Sequence, residues 1–289
     1  MIDLHLHSTA SDGSNDPAEL AGIVAGAEIV ALTDHDTVEG IAAFREALSG
    51  TSAFIVGAEL SLATTTGSLH LLCYGTGLLG PAGTSLLGTL ADDRTRRNEQ
   101  LLARAAANGL DVPLEAVLAA AGATRLDEKS VGRPHVAAVL VERGYARDIP
   151  DAFDRYLAKG RPLYVPKARL RFADVIEPLA AIGVATVVAH PLSLELAPDA
   201  LEDHLRTLRD LGLVGLEAHY AAYAPSTRTA LAELADRLHL VATGGSDAHG
   251  RFKAGLSPLV GYGDLDVPVV SGEALIDAIA RLGGHADLY

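Results

Sequence analysis

Short apolar runs alternate with longer amphipathic stretches along most of the 289-residue chain. The apolar runs have the length and the Val, Ile and Leu content of buried strands, and the longer stretches carry apolar residues at helical spacing. Strand and helix patterns that alternate in this way are typical of βα units with a largely parallel sheet. The predicted strands cover residues 2–7, 29–33, 53–62, 68–74, 184–189, 214–218 and 240–243.

The pattern changes in the middle of the chain, where helix patterns follow one another without a convincing buried strand. Helices are predicted over residues 85–107, 131–143 and 149–157. The simplest organisation is one α/β domain, formed by residues 1–80 and 170–289. A small helical domain of residues 81–169 is then inserted into it.

Composition and charge narrow the possible functions. Hydrophobic residues make up 49% of the chain and charged residues 21%, which fits a folded globular protein rather than a disordered acidic chain. The formal net charge of −14 disfavours nucleic-acid binding through a broad basic surface. A small anionic ligand held by metal ions and a few local cations is compatible with this charge.

Cysteine content and the amino-terminal sequence bear on location. Cys73 is the one cysteine, so no intramolecular disulfide can form. The first residues lack the basic start and apolar stretch of a signal peptide, and no apolar run approaches the roughly 18 residues of a membrane span. We therefore expect a cytoplasmic protein without membrane association, and nothing in the sequence indicates a stable protein partner.

Histidine and carboxylate residues recur where predicted strands give way to loops. In parallel α/β folds the carboxyl ends of strands meet at one face, so residues distant in sequence can share a site. The nine candidate metal ligands, in chain order, are His5, His7, Asp12, His35, Glu59, His70, His190, Asp247 and His249.

The spacing of these residues indicates metal binding. Residues two apart in a strand face the same side, so His5 and His7 are expected to present both imidazoles to one point. Asp247 and His249 repeat that spacing near the other end of the chain. Imidazole and carboxylate together suit manganese, iron or zinc. We expect divalent ions, with manganese first and iron or zinc as alternatives.

The ordered set of motifs resembles the polymerase and histidinol phosphatase (PHP) superfamily over nearly the whole chain. These motifs are His5-x-His7, Asp12, Thr33-Asp34-His35, Glu59, His70, Ala189-His190-Pro191 and Gly245-Ser246-Asp247-x-His249. The resemblance implies an α/β fold, a distorted (β/α)7 barrel with an inserted small helical domain, and a metal-dependent phosphoesterase activity.

The same resemblance implies three metal ions per chain. One ion would be held by His5, His7, Glu59 and Asp247, a second by Glu59, His70 and His190, and a third by Asp12, His35 and His249. Glu59 would then bridge the first and second ions.

Two stretches of the predicted insertion resemble one branch of the superfamily. Residues 131–135 and 158–167 are similar to the branch that contains nucleoside 3′,5′-bisphosphate phosphatases and the 5′-end-trimming ribonuclease AM. In that branch Arg133 would bind substrate phosphate and stabilise its charge, because a guanidinium offers a planar fork of donors. The resemblance also implies that His135 faces the same phosphate and that Lys167 assists.

Some residues are left open by the sequence. Glu217 and His219 end a predicted strand, so either could face the site. His135 and His219 are candidates for protonating the leaving group, which stays unassigned. Arg94, Arg96 and Arg97 are interpreted as a solvated helix face, although their place in the insertion would also let them meet a second phosphate or RNA.

The expected reaction is hydrolysis of the 3′-phosphate of a nucleoside 3′,5′-bisphosphate, such as adenosine 3′,5′-bisphosphate to AMP. Short single-stranded RNA 5′ ends are a further expected substrate, on which the protein would act as a 5′-3′ exonuclease. Two alternatives stay open: a histidinol phosphate phosphatase on the same barrel, and a non-catalytic PHP binding module. The native metal and the oligomeric state are not fixed by the sequence.

Overall fold

A computed structural model describes residues 1–50, 52–126, 131–166 and 170–287. Seven strands follow one another in chain order around one sheet. They are β1 (Ile2–Asp3), β2 (Ile29–Leu32), β3 (Ala53–Leu62), β4 (Leu69–Tyr74), β5 (Ala185–Val188), β6 (Gly215–Tyr220) and β7 (Val241–Gly245). Neighbouring strands are parallel except at β4, which is antiparallel to both β3 and β5.

The chain after β1 nearly closes this sheet into a barrel. Beyond Asp3 this segment still bonds to Thr33 after β2, and it also bonds to residues in and after β7. The Leu4 N–H donates to the Gly244 carbonyl at 3.1 Å, and the His7 N–H donates to the Ala248 carbonyl at 3.2 Å. The predicted strand 2–7 is therefore a two-residue strand continued by an irregular edge. The predicted α/β fold with a distorted seven-stranded barrel is confirmed.

Ten α-helices accompany the strands within the described ranges. They are α1 (Pro17–Ile23), α2 (Ile41–Ala47), α3 (Pro81–Ala107), α4 (Leu114–Ala121), α5 (Arg133–Glu142), α6 (Ile149–Ala152), α7 (Phe172–Ala181), α8 (Pro198–Asp210), α9 (Pro225–Arg237) and α10 (Val269–Arg281). A π-helical turn, Phe153–Leu157, continues α6. None of the helices in the described part of the chain is long and apolar enough to cross a membrane.

Local sequence explains where helices begin. The Asp16 side chain accepts a hydrogen bond from the Ala18 N–H at 2.9 Å, and Pro17 occupies the first helical position of α1. An aspartate cap satisfies a backbone donor at the start of a helix, and proline there lacks only an N–H that has no helical partner. Proline also stands first in α3, α8 and α9.

Three hydrophobic clusters hold these elements together. One joins α1, α2 and α10 to β1–β3, and a second joins α7–α9 to β3, β4 and β6. The third lies among the helices of residues 101–165. Helix α3 belongs to two of them, because Leu87 packs with the barrel and Leu101 packs with the helical cluster. The division into two domains at residues 80 and 170 stays a prediction.

Candidate metal centre

All nine predicted ligands come together at one end of the barrel, and each has a side-chain atom within 3.8 Å of another member of the set. Most of them follow the carboxyl ends of parallel strands. His70 instead begins β4, and the reversed direction of β4 carries its first residues to the same end. The barrel topology therefore gathers side chains that are up to 244 positions apart, from His5 to His249.

The first predicted ligand set has the spacing of a metal site. The Nε2 atoms of His5 and His7 lie 3.1 Å apart. Oε2 of Glu59 is 3.4 and 3.2 Å from these nitrogens, and Oδ1 of Asp247 is 3.5 and 3.3 Å from them. Four ligands arranged tetrahedrally about 2.1 Å from one ion would lie about 3.4 Å from each other. The four residues therefore fit a divalent ion.

The two carboxylate oxygens of Glu59 face two different predicted ligand sets. Its Oε1 lies 2.7 Å from Nδ1 of His70 and 3.1 Å from Nε2 of His190. Its Oε2 faces the first set and also lies 3.0 Å from Nδ1 of His35. A carboxylate arranged in this way can offer one oxygen to each of two ions, as the predicted bridging role requires.

The third predicted set surrounds Asp12. Nε2 of His249 lies 3.3 Å from Oδ1 of Asp12, and Nε2 of His35 lies 3.8 Å from Oδ2. Oδ1 of Asp12 is buried and has no hydrogen-bond partner among the described residues. Because a buried carboxylate oxygen without a donor costs free energy, this atom fits a role as a cation ligand. His7, Asp12, His35 and His249 offer ligand atoms within 4.8 Å of one another.

Electrostatics keep the carboxylates of the cluster charged. Burial alone would favour the neutral form of Glu59, but the imidazoles of His35, His70 and His5 outweigh it and hold the pKa of this carboxyl well below its usual range. At Asp12 the imidazoles of His35 and His249 likewise outweigh burial, and the pKa of this carboxyl is also well below its usual range. Ionised carboxylates are the form that binds divalent cations.

A second layer of buried polar groups holds the ligands in place. Oε1 of Glu217 accepts a hydrogen bond from Nδ1 of His5 at 2.8 Å, and Oε2 accepts the His190 N–H at 2.7 Å. The Asp34 carboxylate accepts the N–H and the hydroxyl of Ser8 at 2.8 and 2.6 Å. Such contacts fix ring orientation and tautomer in metal sites. The sequence left the direction of Glu217 open, and the structure places it against the ligands.

The chain is similar in sequence to named hydrolases. The 5′-3′ exoribonuclease Rnm of Escherichia coli K12 is 31% identical over 255 residues, which are 86% of this chain and 85% of that protein. The chain belongs to the PHP superfamily of metal-dependent phosphoesterases. The 3′,5′-nucleoside bisphosphate phosphatase of Chromobacterium violaceum is 28% identical over 291 residues, which cover 99% of each protein.

Structural similarity to a crystallised phosphoesterase extends over nearly the whole chain. A crystal structure from Bifidobacterium adolescentis, described as an inferred metal-dependent phosphoesterase, has a TM-score of 0.83 at 25% identity and covers 99% of this chain and 97% of that one. No protein-family model matches the chain. The protein is therefore an enzyme that hydrolyses phosphoester bonds and uses divalent metal ions.

The PHP site opens into a cavity of about 540 Å³. Seven of the nine predicted ligands line it, all except His5 and His7. Arg94 and Arg97 of α3 and Arg133 of α5 line the same cavity and are called here the arginine wall. Tyr220 and Lys253 also line the cavity; the Tyr220 hydroxyl donates to Oδ2 of Asp247 at 2.8 Å, and Lys253 contacts the same oxygen. The sequence had singled out neither of these two residues.

The interpretation of the α3 arginines as a solvated face is wrong for two of the three. Arg94 and Arg97 are each 7% exposed, whereas the Arg96 side chain is 62% exposed and pairs with Asp93. The buried face of α3 runs at helical spacing through Leu87, Leu90, Arg94, Arg97, Asn98, Leu101 and Ala105. Arginines at positions that continue an apolar stripe are the signal by which the sequence could have revealed them.

Of the residues predicted to bind substrate, Arg133 lines the cavity and His135 does not. Arg133 lines the cavity, with its guanidinium carbon 5.5 Å from the centre of the Phe153 ring. His135 is buried outside the cavity lining, where Nδ1 accepts the Gly132 N–H at 3.0 Å. Burial lowers the pKa of His135 to about 4, so its ring is neutral at neutral pH. Lys167 lies outside the described residues.

His219 does not line the cavity, although simple alternation would place it on the same face as Glu217. The pairing of β6 with β7 shifts register between Glu217 and His219. Because a bulge changes which side chains face inward, Tyr220 lines the cavity instead. His219 is half-buried. Burial lowers its pKa, Arg228 acts in the same direction, and Asp266 acts in the opposite direction.

Proposed function

We propose that this enzyme hydrolyses the 3′-phosphate of nucleoside 3′,5′-bisphosphates, such as adenosine 3′,5′-bisphosphate, to give AMP and phosphate. The observation that supports it is a single cavity lined both by members of the nine-residue ligand cluster and by the arginine wall. Metal ligands suit the phosphate that is cleaved, and guanidinium groups suit a second anionic group on the same molecule. Similarity to the C. violaceum bisphosphate phosphatase points the same way.

Three ions, with manganese as the first candidate, form part of the proposal. The first would be held by His5, His7, Glu59 and Asp247, the second by Glu59, His70 and His190, and the third by Asp12, His35 and His249. Divalent ions in these positions would supply neutralisation of the phosphoryl oxygens and an acidified water as nucleophile.

The chain's own residues would bind and orient the substrate. No carboxylate among the described residues pairs with Arg133. Its Nη1 donates to the Leu157 carbonyl at 3.4 Å, and its other donors would bind a substrate phosphate. His135 would act indirectly, because its hydrogen bond to Gly132 holds the first turn of α5, where Arg133 stands. Proton donation by His135 or His219, assistance by Lys167 and a cytoplasmic location stay predictions.

A short single-stranded RNA 5′ end is a second candidate substrate. A groove of about 570 Å³ shares Phe153 and Lys253 with the metal-site cavity and continues past Phe252 and Tyr262. Aromatic side chains along such a groove can stack on successive bases. Similarity to the E. coli exoribonuclease supports the same candidate.

Phosphate release from a substrate panel tests the proposal. The Mn²⁺-loaded protein is offered adenosine 3′,5′-bisphosphate, histidinol phosphate and a 5′-phosphorylated oligoribonucleotide, and Asp247→Ala serves as the inactive control. We expect the bisphosphate to be cleaved fastest and to yield AMP. Faster release from histidinol phosphate would identify the alternative enzyme, and no release from any compound would overturn the proposal.

A further inference from the structure

In the part of the chain that the structure describes, Arg97 is a buried cation without a counterion. It is 7% exposed, and no carboxylate among the described residues forms an ion pair with it. Its Nε has no hydrogen-bond partner in the same part of the chain. Because burying an unpaired charge is costly, such a group in a native structure requires an explanation.

Arg94 and Arg96 each pair with an aspartate, whereas Arg97 has no such partner within the described ranges. The Arg94 guanidinium donates through Nε to Oδ2 of Asp36 at 3.1 Å and contacts the same oxygen through Nη2. Arg96, one position away on the exposed side, pairs with Asp93. Helix α3 thus presents three arginines within one turn, and the two beside Arg97 each have an aspartate partner.

The charged groups around Arg97 favour the binding of an anion beside it. Burial, together with the positive charges of Arg94 and Arg133, lowers the pKa of the Arg97 guanidinium to about 9. Asp36 and Asp12 act in the opposite sense, but Asp36 is already paired with Arg94 and Asp12 belongs to the ligand cluster. Counting the described residues alone, the local balance of charge around this side chain is therefore positive.

The position of Arg97 indicates where that anion would lie. Arg97 and Arg133 line the same cavity as Asp12, Glu59 and Asp247 of the ligand cluster. Both arginines come from the helical segment, whereas the ligands come from the barrel. A molecule that engages both groups must carry two anionic groups on one small scaffold.

We propose that Arg97 and Arg133 form a second anion subsite, which binds the phosphate group that is not hydrolysed. This inference rests on the proposed function and deepens it, since it names the feature by which the enzyme would distinguish bisphosphates from monophosphates. Two guanidinium forks match the oxygens of a phosphate dianion. A substrate with one phosphate leaves Arg97 buried and unpaired, which penalises its binding.

Kinetic discrimination provides the first test. The kcat/KM for adenosine 3′,5′-bisphosphate is divided by that for adenosine 3′-monophosphate, which lacks the second phosphate. We expect Arg97→Met to lower this ratio by about 10-fold to 100-fold, the range for loss of a hydrogen bond to a charged group. Arg97→Lys should lower it less, and the matched control Arg96→Met should leave it unchanged.

Thermal unfolding of the Mn²⁺-loaded protein provides a readout that does not depend on turnover. AMP retains the phosphate assigned to the subsite, and adenosine lacks it. We expect AMP to raise the Tm of the wild-type protein more than adenosine does, and Arg97→Met to abolish that difference. Without ligand, Arg97→Met should unfold at the same temperature as the wild type or at a higher one, because the buried unpaired charge is gone.

The outcomes separate the subsite from the proposed function. An AMP-specific shift that requires Arg97, in a protein that releases no phosphate, would support the subsite and contradict the bisphosphatase proposal. A lower Tm for Arg97→Met with an unchanged AMP shift and an unchanged kcat/KM ratio would overturn the subsite and assign Arg97 a structural role. If Arg97→Met does not fold, the same measurements on Arg97→Lys decide.

Discussion

Nδ1 of His5 donates a hydrogen bond to the Glu217 carboxylate at 2.8 Å, across 212 positions of sequence. The other oxygen of that carboxylate accepts the backbone N–H of His190. One buried group thereby fixes the ring of one proposed ligand and the main chain of another. With its proton held on Nδ1, His5 presents the lone pair of Nε2 to the cluster.

Replacing Glu217 should therefore weaken metal binding. In Glu217→Gln one of the two contacts must be lost, because an amide offers one oxygen and would place its NH₂ group against an N–H donor. We expect the affinity for Mn²⁺ to fall by about 10-fold to 100-fold, measured by calorimetric titration. Glu233→Gln, an exposed change on α9, is the control. Equal affinities in the two variants would contradict the role given to Glu217.

The Arg94–Asp36 pair should contribute strongly to stability. Both side chains are buried, so Arg94→Ala leaves an uncompensated buried carboxylate. We expect the free energy of unfolding in urea to fall by about 3–5 kcal/mol. Arg96→Ala breaks an exposed pair on the same helix and should leave stability nearly unchanged. Similar small losses in both variants would argue that the buried pair is not formed.

Burial of His135 should make stability depend on pH. Its pKa is about 4 in the folded chain and about 6.5 when unfolded, so between these values the unfolded chain binds more protons. The free energy of unfolding therefore falls as the pH falls through this window, by about 2 kcal/mol between pH 7 and pH 5.

His135→Gln removes this contribution and keeps an oxygen that can accept the Gly132 N–H. Urea unfolding of both proteins at pH 7 and pH 5 measures the effect. The variant should lose about 2 kcal/mol less than the wild type over that interval. Identical losses would show that His135 does not carry a lowered pKa in the folded protein.

Gly245 should tolerate no side chain, because it lies directly against a proposed ligand. A Cβ at this position would be 2.5 Å from Cβ of His5 and 2.6 Å from the His5 backbone nitrogen. We expect Gly245→Ala to destabilise the protein by about 1–3 kcal/mol or more and to weaken Mn²⁺ binding, as measured by thermal unfolding and titration.

The control for this change is Gly88→Ala. Gly88 is an exposed position within α3, and a Cβ there meets nothing within 4 Å. Because alanine has a higher helix propensity than glycine, this variant should be more stable than the wild type by about 0.5–1 kcal/mol. A Gly245→Ala protein that is as stable as Gly88→Ala would mean that the backbone at Gly245 is not held against His5.

The convergence of the nine side chains could be predicted from the sequence because strand ends are marked locally. The predicted strand 53–62 coincides with β3, and the histidines and carboxylates at strand ends meet as parallel topology requires. The grouping of His5, His7, Glu59 and Asp247 around one ion came from the family resemblance and stays a prediction.

The residues that the sequence missed depend on contacts that no local pattern specifies. Glu217 faces the ligands and His219 does not, because of a bulge in β6 that leaves no mark in composition. Arg97 is buried because α3 lies against the cavity, so its environment depends on how the helix packs. Lys253 reaches Asp247 from a 3₁₀ turn after β7, a position that strand and helix patterns do not describe.

The reversed direction of β4 has a consequence for how selectivity can evolve in this fold. The turn between β3 and β4 lies beside the metal-site cavity. Ser68 lines that cavity, and Gly67 lines a small adjacent pocket together with Arg133 and Tyr164. Lengthening or trimming that turn would remodel the entrance while Glu59 and His70 keep their places on paired strands. Reaction chemistry and choice of substrate can thus diversify independently.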